Sequence, residues 1–116
     1  MKVTKIVANI KADNTDEAKA FYGDLFGLKL AADVGWFKSF VSGEQMSPQM
    51  NIATNGGAGT EVADISIEVD DIEEALKRVI DNNIDIDYGP VTEPWGVRRF
   101  YIRDPFGKLL NVMQYV

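Results

Sequence analysis

The segment VADISIEVDD, residues 62–71, decides how the fold begins in the second half of the chain. Its apolar residues alternate with polar ones, which is typical of a strand that buries one face. Asp70 or Asp71 then caps a helix, because a short side-chain oxygen there can accept the first free backbone N–H groups. The apolar positions of this helix follow helical spacing and are Ile72, Ala75, Leu76, Val79 and Ile80. The sequence therefore predicts a strand followed directly by a helix.

The same pattern occurs near the start of the chain, which indicates an internal repeat. Val7-Ala8-Asn9-Ile10 matches Val62-Ala63-Asp64-Ile65, and Met50-Asn51-Ile52 matches Leu110-Asn111-Val112. Asn14 or Thr15 caps the first predicted helix, whose apolar positions are Ala18, Phe21, Tyr22, Leu25 and Phe26. Gly27 and Asn83 end the two helices, since both residue types tolerate a positive φ. We therefore align the two halves motif by motif.

Short strands follow each predicted helix. We expect them near residues 28–33, 36–42, 49–54, 84–88, 98–103 and 109–115. Turns are predicted at 46–48 and at Asp104-Pro105-Phe106-Gly107. The run Asn55-Gly56-Gly57-Ala58-Gly59 has the composition of a flexible linker and divides the chain into residues 1–56 and 57–116. We expect the two halves to share one compact domain.

The amino-acid composition excludes several classes of function and disfavours some classes of partner. The 116 residues include 12 Lys and Arg, 18 Asp and Glu, and neither Cys nor His, which gives a formal charge of −6. These absences exclude a disulfide framework, a thiolate nucleophile, a metal centre with His ligands and Ser-His-Asp hydrolysis. The acidic balance disfavours nucleic acid and anionic membranes as partners. It either attracts a cationic ligand or only maintains solubility. The apolar runs are too short for a signal peptide or a membrane span, so we expect a cytoplasmic protein.

Three segments make the chain similar to a known superfamily. They are AFYGDLFGL at 20–28, DISIEVDD at 64–71 and PWGVRRFYIRDPFGKLLN at 94–111. With them the chain resembles the vicinal oxygen chelate superfamily, which contains glyoxalase I, extradiol dioxygenases and bleomycin resistance proteins. The resemblance implies an α+β fold of two tandem βαβββ modules, in which a curled, partly open mixed sheet surrounds a cavity. It also implies a homodimer.

The superfamily's metal enzymes place ligands on the first and last strand of each module. Aligned by motif, these positions hold Asn9, Asn51, Asp64 and Asn111, with Gln49 as the alternative to Asn51. Three neutral amides and one carboxylate are a poor donor set for a divalent transition metal. We therefore predict no metal, no other cofactor and no catalytic residue, and an enzyme is less expected than a binding protein.

Ligand-binding candidates come from these positions and from aromatic or charged residues on neighbouring strands. They are Asn9, Trp36, Phe37, Asn51, Asp64, Trp95, Arg99, Tyr101 and Asn111. Each has a structural alternative: the asparagines bond to one another or to backbone, Asp64 is solvated or pairs with a cation, and Arg99 forms a cross-strand ion pair. Phe40 and Phe100, at equivalent positions of the repeat, are predicted to be core residues.

The resemblance is closest in character to the metal-free bleomycin resistance branch. We therefore predict a metal-independent binding protein of the glyoxalase/bleomycin resistance type that sequesters an antibiotic or metabolite. The alternative is a glyoxalase-like lyase or isomerase that uses Asp64 as its base. A third interpretation is a small regulatory module with an empty pocket.

Overall fold

A computed structural model describes residues 1–43 and 48–116. The turn predicted at 46–48 begins outside the described residues. The predicted α+β class is confirmed, with eight strands, one π-helix and one α-helix in the described chain. Contacts divide the chain into two compact units. We call Val7–Val62 the first module, and Ala63–Val116 together with Met1–Ile6 the second module.

Strand β1 spans Val3–Lys11. Its residues up to Ile6 belong to the second module, and the rest belong to the first. Three further strands follow a short helix: β2 (Lys29–Asp33), β3 (Phe37–Val41) and β4 (Gln49–Ala53). The strand order is β2-β3-β4-β1, with β1 parallel to β4 and the other pairs antiparallel. This is the predicted βαβββ order.

The second module repeats this arrangement. Strand β5 (Ile65–Val69) leads into helix α1 (Ile72–Asp81). Strands β6 (Ile86–Glu93), β7 (Val97–Arg103) and β8 (Leu109–Tyr115) follow in the order β5-β8-β7-β6. Strands β5 and β8 are parallel, and the other pairs are antiparallel. Each module therefore has an open mixed sheet.

The first helix differs from the predicted α-helix. It is a π-helix over Lys19–Leu25, and no side chain caps its first residues. Asn14 Oδ1 accepts a hydrogen bond from Asp16 N instead (3.1 Å), and Thr15 Oγ1 donates to Gly35 O (2.7 Å). The side chains of both residues therefore form hydrogen bonds outside the helix. The prediction that Asn14 or Thr15 caps the first helix is wrong.

Helix α1 agrees with its prediction and decides between the two candidate caps. Asp71 is the N-cap, and its side chain accepts a hydrogen bond from Glu74 N at 3.1 Å. Gly27 and Asn83 have φ of 72° and 58°, as expected of residues that end a helix.

A helix packs on one face of each sheet and forms the module's apolar core. The first core contains Ala18, Phe40 and Ile52. The second contains Val69, Ile72, Ala75, Val79, Phe100 and Val112. Phe40 and Phe100 are fully buried, so their predicted core role is confirmed. Because successive strand residues point to opposite sides, the residues between these apolar positions lie on the other face of each sheet.

Candidate functional site

The first module carries four polar side chains on the sheet face opposite its helix. We call them the first polar face, and they are Asn9, Ser39, Gln49 and Asn51. Strand register places Asn51 between Asn9 on β1 and Ser39 on β3. Gln49 lies two residues before Asn51 on β4 and therefore shares its face. Gln49 and Asn51, which the sequence offered as alternatives, are thus both present.

These side chains form a continuous hydrogen-bonded chain. Asn51 Nδ2 donates to Asn9 Oδ1 at 2.7 Å. Gln49 Nε2 donates to Ser39 Oγ at 2.8 Å and to Asn51 Oδ1 at 3.3 Å. Asn51 is only 6% exposed, so the removal of its amide from water is offset by these bonds. In the first module the asparagines therefore bond to each other, which is the structural role predicted from the sequence as the alternative to ligand binding.

Trp36 and Phe37 lie beside this chain. Phe37 is two residues before Ser39 on β3 and therefore shares its face. The Trp36 and Phe37 rings contact each other at 5.8 Å between centroids, with 54° between their planes. Both side chains are half-buried. Both rings therefore remain partly exposed, and Phe37 shares the sheet face of the amides.

In the second module, Ser66 takes the place that the alignment gave to Asp64. Ser66 is in register with Asn111, as Asn9 is with Asn51. Asp64 precedes β5, is exposed, and its Oδ2 accepts a hydrogen bond from Leu109 N at 2.9 Å. The predicted equivalence of Asp64 with Asn9 is therefore wrong by two residues. The error follows from strand alternation, because a shift of two residues preserves the apolar pattern that guided the alignment.

Asn111 is bonded differently from Asn51. It is 9% exposed, and its Nδ2 donates to Ser66 Oγ at 3.1 Å. Its Oδ1 is buried and accepts no hydrogen bond from the residues that the structure describes. A buried carbonyl oxygen without a donor is rare in folded proteins because it has lost its water without replacement. Asn111 is therefore an open acceptor.

Arg99 lies among three aromatic rings on the same face. Its Cζ atom is 5.2 Å from the ring centroid of Tyr88, 5.3 Å from that of Trp95 and 5.1 Å from that of Tyr101. Its Nη1 also donates to Tyr101 Oη at 3.1 Å. Cation–π contacts of this kind favour a guanidinium removed from water. The aromatic surface predicted for a ligand thus already surrounds the protein's own cation.

Glu93 is the residue that sequence reasoning missed. It is 4% exposed, and its Oε2 lies 3.5 Å from Arg99 Nη2. The Tyr88 hydroxyl donates to Glu93 Oε1 at 2.7 Å, and this hydrogen bond raises the pKa of Tyr88 above its ordinary value. Glu93 Oε2 accepts no hydrogen bond within the described part of the chain. No sequence signal identifies Glu93, because it reaches the face of Arg99 through its pairing with Val97, which is known only from the strand register.

We call Ser66, Glu93, Arg99, Tyr101 and Asn111 the second polar face. Ser66, Asn111 and Tyr101 lie side by side in the register of β5, β8 and β7. Tyr101 is Arg99's neighbour two residues along β7. The structure therefore brings together Trp95, Arg99, Tyr101 and Asn111 from the predicted ligand-binding set.

Gly89 allows β6 to approach this face. A Cβ atom at residue 89 would lie 2.7 Å from Arg99 O and 3.2 Å from Phe100 Cα. Both neighbours are backbone atoms, so they cannot move aside independently. Glycine is therefore required where Tyr88 enters the cluster.

The donor set does not fit a transition metal. The side-chain oxygens of Asn9 and Asn51 are neutral amide oxygens, and each already accepts an N–H donor from a neighbouring side chain. In the second module the corresponding side chains are a serine and an amide. Within residues 1–43 and 48–116, no group of three or more Asp, Glu, His or Cys side chains is arranged to hold a metal ion. These neutral groups suit hydrogen bonding better than metal coordination.

Comparison with known proteins identifies a family and a fold. The model of the Glyoxalase/Bleomycin resistance protein/Dioxygenase superfamily matches residues 7–112. No curated protein matches the chain.

Among the described residues, no helix has the length and apolar character to cross a membrane.

Solved structures with the same fold have low sequence identity to this chain. An NAD-dependent benzaldehyde dehydrogenase structure from Legionella pneumophila has 16% identity and a TM-score of 0.78, covering 97% of this chain and 100% of that one. A glyoxalase/bleomycin resistance protein/dioxygenase superfamily member from Vibrio splendidus 12B01 has 15% identity and a TM-score of 0.70, covering 97% and 98%. Methylmalonyl-CoA epimerase from Mycobacterium tuberculosis has 14% identity and a TM-score of 0.64, covering 100% and 93%. At such identities the likeness concerns the fold alone.

Proposed function

The chain belongs to the Glyoxalase/Bleomycin resistance protein/Dioxygenase superfamily, and we propose that it binds a small organic molecule without a metal ion. The observation that carries this proposal is the bonding of the amides at the superfamily's metal positions. Asn9 and Asn51 are bonded to each other. Asn111 is in register with Tyr101, which accepts a hydrogen bond from Arg99 of the buried ion pair. A few placed polar groups among aromatic rings are typical of a small-molecule site.

The second polar face is the proposed binding site. It combines the buried pair of Arg99 and Glu93 with the open acceptor of Asn111. Trp95 and Tyr101 supply flat apolar surface against which a ring can stack. Asp64 is exposed and its carboxylate is bonded to backbone, so no observation favours the enzyme alternative in which Asp64 is the base.

The proposed biological role is sequestration of an antibiotic or metabolite by a homodimer. Phe21, Leu25 and Phe26 on and after the π-helix are large apolar side chains that remain exposed. Clustered exposed apolar side chains commonly mark a protein interface. Sedimentation equilibrium of the wild type and of Phe26→Glu tests this part. A dimer that dissociates in the variant supports it, and a monomeric wild type contradicts it.

Tryptophan fluorescence tests the binding function, because the chain has only two tryptophans. Trp36→Phe leaves Trp95 as the reporter of the proposed site, and Trp95→Phe is the matched control. Cationic glycopeptides, planar antibiotics and thiol adducts are titrated in the presence of EDTA. Saturable quenching in Trp36→Phe that persists with the chelator supports the proposal. Quenching that EDTA abolishes, or no saturable quenching by any compound, contradicts it.

A further inference from the structure

We infer that the second polar face selects a neutral ligand that donates hydrogen bonds, such as a primary amide, a urea or a lactam. This inference rests on the proposed function, since it names the chemical class of the ligand bound there. It is carried by two buried acceptor atoms and by the charge already present around them.

Both acceptors belong to side chains that are more than nine-tenths buried. Asn111 Oδ1 and Glu93 Oε2 accept no hydrogen bond in the described structure. Tyr101 lies between them in the bonding network, in register with Asn111 and bonded to Arg99, which contacts Glu93. A carboxylate oxygen and an amide oxygen both need a donor, and leaving either without one is unfavourable. A ligand with N–H or O–H groups supplies what both atoms lack.

The local charge argues against an ionic ligand. Arg99 and Glu93 form a buried pair whose charges cancel, with side chains 5% and 3% exposed. A cationic ligand would lie against the Arg99 guanidinium, which already occupies the faces of Tyr88, Trp95 and Tyr101. An anionic ligand would face the Glu93 carboxylate and offer no donor to it. A neutral donor satisfies both acceptors and leaves the ion pair intact.

Trp95 gives this cluster its contact with solvent. It lies in the turn between β6 and β7 and is 45% exposed, although its ring covers Arg99. Pro94 beside it is also exposed. A ligand that approaches from this turn can stack on the exposed part of the indole ring. The overall acidity of the chain therefore does not set the ligand class, because this local site is internally neutralised.

Four nearly isosteric probes separate charge from hydrogen-bond donation. Benzamide is neutral and donates, N,N-dimethylbenzamide is neutral and does not, benzamidine is a donating cation, and benzoate is an accepting anion. Each is titrated into the full ¹⁵N-labelled chain while backbone and side-chain amide resonances are recorded. We expect benzamide to shift the resonances of Asn111 and Tyr101 at millimolar concentration. We expect each other probe to bind about tenfold more weakly, equivalent to about 1.4 kcal/mol.

Two variants assign the effect to the acceptors. Asn111→Leu keeps the side-chain size and removes the amide, while Glu93→Gln removes the charge and one acceptor oxygen. Each is expected to weaken benzamide binding about tenfold. Glu73→Gln is the matched control, because it removes one surface charge from the pair with Arg98 and leaves the site unchanged. If Glu93→Gln fails to give a folded spectrum, Asn111→Leu alone decides.

The results separate the inference from the proposed function. Benzoate, benzamidine or N,N-dimethylbenzamide binding as tightly as benzamide overturns the inference, and so does benzamide binding that neither variant weakens. An absence of shifts with all four probes also overturns it. The proposed function survives any of these outcomes if another compound quenches Trp95 in EDTA, and it fails if none does.

Discussion

The first and second polar faces occupy equivalent positions in two copies of one module, yet they satisfy their polar groups in opposite ways. In the first, Asn9, Gln49 and Asn51 bond to one another in sequence. In the second, Asn111 and Glu93 each have a buried oxygen that accepts no hydrogen bond from residues 1–43 or 48–116. Local departures from full satisfaction are expected where a protein binds something else. The comparison teaches that equivalent positions in the two sheets can be bonded internally in one module and left with unbonded acceptors in the other, as far as the described residues show.

The largest destabilisation is expected from breaking the buried ion pair, which is present in the second polar face. Glu93→Ala removes the carboxylate that lies 3.5 Å from Arg99 and leaves the guanidinium buried without it. We expect a destabilisation of about 3–5 kcal/mol in urea unfolding. Glu73→Ala breaks the exposed pair with Arg98 and is expected to cost at most about 1 kcal/mol. Equal effects of the two substitutions would show that Glu93 is not paired in the folded protein.

A substitution at Gly89 tests whether the close approach of β6 to β7 stabilises the second polar face. Gly89→Ala places a Cβ atom 2.7 Å from Arg99 O at a φ of +80°. Gly107→Ala has the same φ and no atom within 4 Å, so it isolates the backbone strain. Strain of this kind costs about 1–3 kcal/mol. We expect thermal unfolding to show a clearly larger destabilisation for Gly89→Ala, and similar values for both would refute close packing at Gly89.

Substitution of Asn51 and of Asn111 compares the hydrogen bonding of the two faces directly. Asn51→Ala removes the central member of the first chain, so Asn9 Oδ1 loses its donor and Gln49 loses an acceptor. We expect a cost of about 1–3 kcal/mol. Asn111→Ala removes a single donated bond and a buried oxygen that was already unsatisfied, so its cost is expected to be below about 1 kcal/mol. Equal costs in chemical denaturation would indicate that both faces are bonded alike.

Much of the fold could be predicted from the sequence because it depends on patterns of short range. Alternation identified β5, helical spacing identified α1, and the residues at Gly27 and Asn83 ended both helices as expected. The π-helix was not foreseen, since its apolar spacing also fits an α-helix and the predicted caps bond elsewhere.

The candidate site was predicted less completely because it depends on register. The motif alignment assigned Asp64 to the position that Ser66 occupies, since a shift of two residues keeps a strand's faces unchanged. Glu93 and Tyr88 were missed because their contacts with Arg99 arise from the pairing of β6 with β7, which composition does not specify. The contact between Asn9 and Asn51 was weighed as an alternative, but only the parallel pairing of β1 with β4 decides it.

The smallest expected effect concerns alkaline pH. The hydrogen bond to Glu93 raises the pKa of Tyr88 above its ordinary value of 10.0. The protonated form is therefore favoured by folding, and its contribution is present below pH 10.0 and lost as the pH rises through the folded pKa. Tyr88→Phe should lower stability below that pH and narrow the gap to the wild type above it. A gap that stays constant across the alkaline range, measured by urea unfolding, would contradict this coupling.

The proposal of a metal-independent site requires that the asparagines at the superfamily's metal positions bind no metal ion. The most direct test is a titration of the labelled chain with Mn²⁺, in which a paramagnetic ion broadens the resonances of nearby amides. We predict no selective broadening of the Asn9, Asn51 and Asn111 side chains at one equivalent of metal. Selective loss of any of these signals at that ratio, reversed by EDTA, would show that the asparagine concerned binds a metal ion and would contradict the account.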